Sequence, residues 1–189
     1  PQLDAPMIVL ECTQNISIRR IIFESSRDKA IIIGDGSHNE IAGCTIRNFG
    51  GSTAIEIGGT HNTIRSSDVY ELAGTGIYLG GGDRQTLTPA GNQAVNCNIH
   101  HVGRVYRTYH GAFSLRGIGN RIAHCWLHDT PHQGVGYSGN DHIIEYCDFE
   151  GIAQETGDVG ATYTTVHWTS MGHEFRYNYF HDIHGPGNI

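Results

Sequence analysis

One short phrase returns along this chain, and it limits the available folds more than any other feature. Cut at Asn15, Asn39, Asn62, Asn92, Asn120, His142 and His173, the sequence falls into units that begin alike. Two residues after most starts comes an apolar residue: Ile41, Ile64, Ala94, Ile122, Ile144, Phe175. Three further on comes a small or thiol residue: Cys44, Ser67, Cys97, Cys125, Cys147, with Asn178 last. Two further on stands a second apolar residue: Ile46, Val69, Ile99, Leu127, Phe149, Phe180. A third short stretch ends most units, as in Ala54-Ile55-Glu56-Ile57 or Ala112-Phe113-Ser114-Leu115, and a glycine-rich turn usually follows.

The shortest units run 22 to 24 residues and the longer ones 28 to 31. Each holds two or three alternating stretches of three to five residues, which suits strands and is too short for helices. One unit cannot bury its apolar face, but stacked units can, each pairing with the next at ~4.8 Å. The expected fold is therefore all-β, a right-handed parallel β-helix of about seven coils. It forms one domain over 1–189. Because the chain opens at Pro1 in sequence that already reads as folded, it is taken as a mature form or a piece of a longer parent.

Composition removes other classes. Glycine is frequent, at 26 of 189 residues, in keeping with a turn at every coil. The basic residues are few, 12 Lys and Arg against 19 acids for a net charge of -7, and Lys29 is the lone lysine. A nucleic-acid surface needs a basic footprint, so that partner is excluded. No apolar run nears the ~20 residues of a spanning helix, so no membrane partner is expected.

Stacking assigns several residues to structure. Cys44, Cys97, Cys125 and Cys147 share a register and should form an inward ladder of reduced thiols, since their spacing fits no zinc site. Asn39, Asn62, Asn92 and Asn120 should form a second ladder, with amides bonding along the stack. His100, His128 and His181 share an outward register.

Insertions in a solenoid mark its binding face. Three occur, at 82–90, 103–109 and 153–157, followed by a tail at 164–172 that carries His167 and Trp168. Aligning the third stretches on Ala112, Gly134 and Gly160 places His110, His132 and Asp158 in one column. Ser114, Gly136 and Thr162 become a small-residue groove floor, with Arg116 two further out. A weaker alignment groups Arg107, Asp129 and Glu155.

These residues suit a sugar site. Hydrolysis of a glycosidic bond needs two carboxylates, which Asp158 with Glu155 or Asp129 could supply. Elimination or epimerisation at a uronate needs a base, such as His110 or His132, and a cation such as Arg107 or Arg116. No cofactor is called for, although a divalent cation on His110, His132 and Asp158 stays open. Planar side chains, Tyr109 and Trp168 with His167 nearby, would stack on sugar rings. Asp129 also suits a plain turn, given the Asp129-Thr130-Pro131 context.

The stretches 80–89, 103–110, 139–146, 155–163 and 176–183 resemble a bacterial family of right-handed parallel β-helix repeat proteins, and the likeness covers nearly the whole chain. It implies a carbohydrate-active protein that works outside the cytoplasm, extracellular or periplasmic, on a polysaccharide or oligosaccharide. A glycoside hydrolase is the leading expectation, with Asp158 as the first catalytic residue. A polysaccharide lyase or epimerase, a glycan-binding module and a self-assembling solenoid remain as alternatives. Two positions depart from the resemblance: His167 stands where an acid is common, and Gly157 where a second acid often precedes Asp158. End-to-end self-association at Pro1 or Ile189 is a further expectation, because open solenoid ends expose strand edges.

Overall fold

The architecture follows from inward columns that no single coil could bury. A computed structural model describes residues 4–164, 167–183 and 185. Within them the chain winds through seven coils of three short strands. The first three coils contain β1 (Ile8–Leu10), β2 (Ser17–Arg19), β3 (Ile22–Ser26), β4 (Ile31–Ile33), β5 (Glu40–Ala42), β6 (Thr45–Phe49), β7 (Thr53–Ile57), β8 (Thr63–Arg65) and β9 (Asp68–Leu72). The fourth and fifth contain β10 (Thr75–Leu79), β11 (Gln93–Val95), β12 (Asn98–His100), β13 (Phe113–Leu115), β14 (Arg121–Ala123) and β15 (Trp126–His128). The last two contain β16 (Val135–Tyr137), β17 (Ile143–Glu145), β18 (Asp148–Glu150), β19 (Thr162–Thr164), β20 (Glu174–Arg176) and β21 (Tyr179–His181). Each strand pairs in parallel with its counterpart one coil away, giving three seven-stranded sheets that begin at β1, β2 and β3. The parallel β-helix read from the repeat is thus the fold observed.

Ile41, Ile64, Ala94, Ile122 and Ile144 stand in one column of the second sheet and are fully buried. Ile46, Val69, Ile99, Leu127 and Phe149 do the same in the third. Each Ile, Val, Leu or Phe among them stabilises the stack by roughly 1.5–3 kcal/mol. Together they fix the register, because a one-residue slip would turn a whole strand to its other face.

The thiol ladder is present and has a second task. Between the second and third strands of each coil the chain turns on one residue of positive φ: Arg20, Gly43, Ser66, Asn96, His124, Tyr146 and Tyr177, all between 49° and 61°. A non-glycine residue there costs roughly 1–2 kcal/mol. Bonds between coils hold the corner, for example Asn96 N–H to Ala123 O at 3.0 Å and His124 N–H to Glu145 O at 3.2 Å. In the five middle coils the residue after the corner is a Cys or Ser that donates back to the carbonyl two residues earlier. Cys125 Sγ reaches Ala123 O at 3.3 Å, Cys147 Sγ reaches Glu145 O at 3.2 Å, and Ser67 Oγ reaches Arg65 O at 3.0 Å. Cys12, which fits no ladder, is exposed on a left-handed turn of its own.

The asparagine ladder bonds along the stack as expected. The Oδ1 atoms of Asn39, Asn62 and Asn92 accept the N–H of Ile16, Asn39 and Asn62 at 2.9, 2.9 and 2.8 Å. His142 continues it, with Nδ1 accepting the Asn120 N–H at 3.2 Å. Asn120 Oδ1 has no partner among the described residues, so the ladder is interrupted at the step that follows the 82–90 insertion.

The last coil corrects the expected register. Val135 pairs with Thr162 and Gly136 with Tyr163. Ala161, not Gly160, therefore follows Ala112 and Gly134 in the column. Counting back, Val159 falls opposite His132, and its side chain packs toward the core. Asp158 is displaced from the His110–His132 column, and Thr162 does not extend the groove floor. The cation trio of His110, His132 and Asp158 loses the register on which it rested. Pro1, Ile189, Thr165 and Val166 lie outside the described residues.

Candidate functional site

Unequal connections between the third and first sheets shape the surface. The link from β12 to β13 spans 101–112, that from β15 to β16 spans 129–134, and that from β18 to β19 spans 151–161. A long, a short and a long link on neighbouring coils leave a notch over the middle one. The walls are pinned by backbone bonds: Arg104, Val105 and Tyr106 donate to Leu72 and Ala73, while Gln154 and Glu155 donate to Thr130 and Pro131.

The notch holds a cleft of about 370 Å³, lined by His101, Arg107, Asp129, Pro131, Gln154 and Glu155 among others. Asp129 sits on its floor at a second corner column of positive φ, which also contains His101 and Asp182. Its Oδ2 lies 2.7 Å from His128 Nδ1, and its Oδ1 accepts from Gln154 Nε2 at 3.2 Å. Burial alone would push its carboxyl up. The hydrogen bonds from His128 and Gln154, with the nearby imidazoles, outweigh this and bring it below its ordinary value. Glu155 on the wall meets Arg107 Nη1 at 3.2 Å. The weakly aligned group of Arg107, Asp129 and Glu155 is thus the one the fold assembles.

Imidazoles stack beneath the floor. His100 lies 4.5 Å from His128 and 4.9 Å from Tyr70, ring centre to ring centre. Burial first, then the neighbouring imidazoles of His128 and His101, lower His100 to about 4. His100 and His128 stand in register as expected, and Glu150 with His181 continues the column.

A second cleft of about 310 Å³ opens on the first sheet, lined by Tyr109, Arg116, Gln133, Gly136, Tyr137 and Tyr163 among others. His132 is buried beside it, 5.1 Å from the Tyr109 ring. His110, half-buried, meets Thr75 Oγ1 at 3.0 Å. Burial lowers both imidazoles from their ordinary value.

The remaining expected residues lie elsewhere. Asp158 is exposed at positive φ, lines neither cleft, and makes no ion pair among the described residues. Trp168 is 89% exposed and stacks on no ring among the described residues. His167 Nδ1 meets Thr169 Oγ1 at 2.7 Å, away from both clefts. Among the described residues, the group with cation-binding geometry is Glu150, His181 and Asp182, whose ligand atoms lie within 4.8 Å of one another. The His181 ring there already meets Asp182 at 2.8 Å and Asp148 at 3.1 Å.

Residues 6–111 match the family model described as a right handed beta helix region. The chain belongs to that family. The match gives the handedness of the winding and spans the first four coils of this β-helix. Arg116, Asp129, Gln133, Glu155 and Tyr163 lie beyond it, so membership assigns the scaffold and leaves both clefts to be argued from their own chemistry. No curated protein and no solved structure matches this β-helix.

Sequence reasoning missed Gln133, Tyr137, Gln154 and Tyr163 as lining residues. Tyr163 was hidden by the register of the last coil. Gln154 lay inside a recognised insertion, but nothing in its spacing linked it to Asp129.

Proposed function

We propose that this protein is a carbohydrate-active β-helix of the glycoside-hydrolase type, acting on a polysaccharide or oligosaccharide outside the cytoplasm. One observation carries the reading: a floor carboxylate and a wall carboxylate, Asp129 and Glu155, share a cleft that the coil repeat alone does not require. Two carboxylates flanking a bond are the minimum equipment for glycoside hydrolysis. Asp129, oriented by His128 and Gln154 and favoured as the anion, suits the base or nucleophile. Glu155 supplies the second carboxyl of the pair from the opposite wall, and Arg107 sets its position. The second cleft holds neighbouring sugar rings.

A second reading, glycan binding without turnover, is favoured by the same contacts. Both carboxylates are already engaged, Asp129 with His128 and Gln154 and Glu155 with Arg107.

The deciding experiment is release of reducing ends from a panel of polysaccharides by the wild type, Asp129→Asn and Glu155→Gln. The hydrolase reading expects a loss of about 10²-fold or more in each variant with unchanged folding. Full turnover in either variant would overturn the assignment. Retention of glycans by a wild type that releases no product would establish the second reading.

A further inference from the structure

The second cleft has a chemistry of its own. In pairing order the outward column of the first sheet runs Glu56, Tyr78, Ser114, Gly136, Tyr163. Two small residues lie between two tyrosines that are three rungs apart, roughly 14 Å at ~4.8 Å per rung. The sheet is therefore notched between two aromatic posts. Tyr109 closes the notch from the wall loop, with its ring 6.1 Å from that of Tyr163. Burial raises the phenol of Tyr137, so this lining group stays a protonated donor at neutral pH.

Arg116 lines this notch and, like Arg84, which bonds Asn140 and Thr169, it faces no carboxylate among the described residues. Arg104, Arg107, Arg121 and Arg176 each face a carboxylate. Arg116 donates from Nη1 to Ser138 Oγ at 2.8 Å and forms no ion pair among the described residues. A guanidinium presents a planar fork that matches a planar oxyanion, and tyrosine faces offer flat apolar surface to a sugar ring. Gln133 adds an amide at the same wall.

We propose that this cleft binds an anionic sugar residue, with the Arg116 guanidinium on the anionic group and the tyrosines against the ring. The proposal rests on the reading that the protein handles a glycan, and it names the class of glycan. A sugar carboxylate and a sugar sulfate share the required chemistry.

The test is calorimetric titration of the whole chain with oligomers of galacturonic, glucuronic and mannuronic acid. Their carboxyl-reduced neutral counterparts and sulfated neutral oligomers complete the set. At least one acidic oligomer should bind about tenfold or more tightly than its neutral counterpart, the gain expected of a charged hydrogen-bonded pair. Preference for the carboxylated or the sulfated arm identifies the group. Arg116→Gln should lower the acidic ligand to the neutral level, Arg116→Lys should recover part of the gain, and Tyr163→Ala should weaken acidic and neutral ligands alike. A thermal midpoint within a few degrees of wild type shows that each variant is folded. Equal affinity for acidic and neutral oligomers, or a preference that survives Arg116→Gln, would overturn the proposal and leave the glycan reading intact. A wild type that binds no oligomer of the set would remove both.

Discussion

His128 Nδ1 stands 2.7 Å from Asp129 Oδ2, although the two residues are consecutive and their strand has just ended. The corner at Asp129, with φ at 51°, turns the carboxylate back toward the ring of the residue before it. That ring is itself clamped by Trp126, 4.0 Å away, and by Asn98 Oδ1, 3.1 Å from Nε2. A stacked outward column of the β-helix therefore aims the acid on the cleft floor.

His128→Phe keeps the ring stack and removes both nitrogens. The Asp129 carboxyl should then rise toward its ordinary value, since a hydrogen bond that lowers it is lost. A lowered folded pKa stabilises the fold above the ordinary carboxylate range, and that contribution disappears as pH falls through the lowered value. Both the acid limb of activity and the Asp129 carbon titration seen by NMR should move to higher pH. An unmoved titration would show that His128 does not set the charge of Asp129.

The thiol ladder predicts a tolerance. Ser67 already occupies that register, donating to Arg65 O and accepting the Cys44 N–H at 3.1 Å. Cys97→Ser should therefore cost less than about 1 kcal/mol, because donor, acceptor and size are kept. Cys97→Val loses the donor and adds volume in a packed shaft, at about 1–3 kcal/mol. Urea unfolding of the two variants measures the difference, and equal losses would show that the corner does not need a donor.

His142 carries a pH dependence that Asn120 does not. Its Nδ1 accepts the Asn120 N–H and its Nε2 donates to Ser138 O at 3.0 Å, so the ring is held neutral in one tautomer. Burial lowers it to about 4. The unfolded chain binds that proton first, so stability should fall as pH drops from about 6.5 toward 4, by on the order of 3 kcal/mol. His142→Asn restores the amide ladder and should flatten that part of the curve. His142→Leu leaves the Asn120 N–H without its partner and should cost about 1–3 kcal/mol at neutral pH.

Glu145 binds the second sheet together. It is nearly buried and takes Arg176 Nε at 2.6 Å and Arg121 Nη2 at 2.5 Å. The Arg176 bond first, then that from Arg121, lowers its carboxyl from the ordinary value. Its stabilisation is present above the ordinary carboxylate range and is lost as pH falls through the lowered value. Glu145→Gln should lower the thermal midpoint at neutral pH and have little effect in acid, which scanning calorimetry at the two pH values reads directly.

The repeat made the three sheets, the thiol ladder and the asparagine ladder legible, because each depends on spacing alone. The corners of positive φ were hidden, since Arg20, Ser66, Asn96, His124, Tyr146 and Tyr177 carry no common residue type that announces the turn. The register of the last coil was ambiguous for a physical reason. Gly160 and Ala161 are both small, and Thr162 suits either face of a strand, so only its pairing with Val135 decides. That one-residue step separates Asp158 from the two histidines and brings Tyr163 into a cleft. The floor and walls around Asp129 came from unequal link lengths, which were visible as insertions without showing what they enclose.

The proposed glycan site lies across the short link at 129–134. The crystal structure of the doubly substituted protein, Asp129→Asn with Glu155→Gln, soaked with an oligosaccharide that the wild type binds, tests this most directly. A glycosidic oxygen should lie between the side chains of residues 129 and 155, with the next sugar ring toward Arg116 and Tyr163. A sugar bound on another face of the β-helix, with the notch filled only by water, would contradict it.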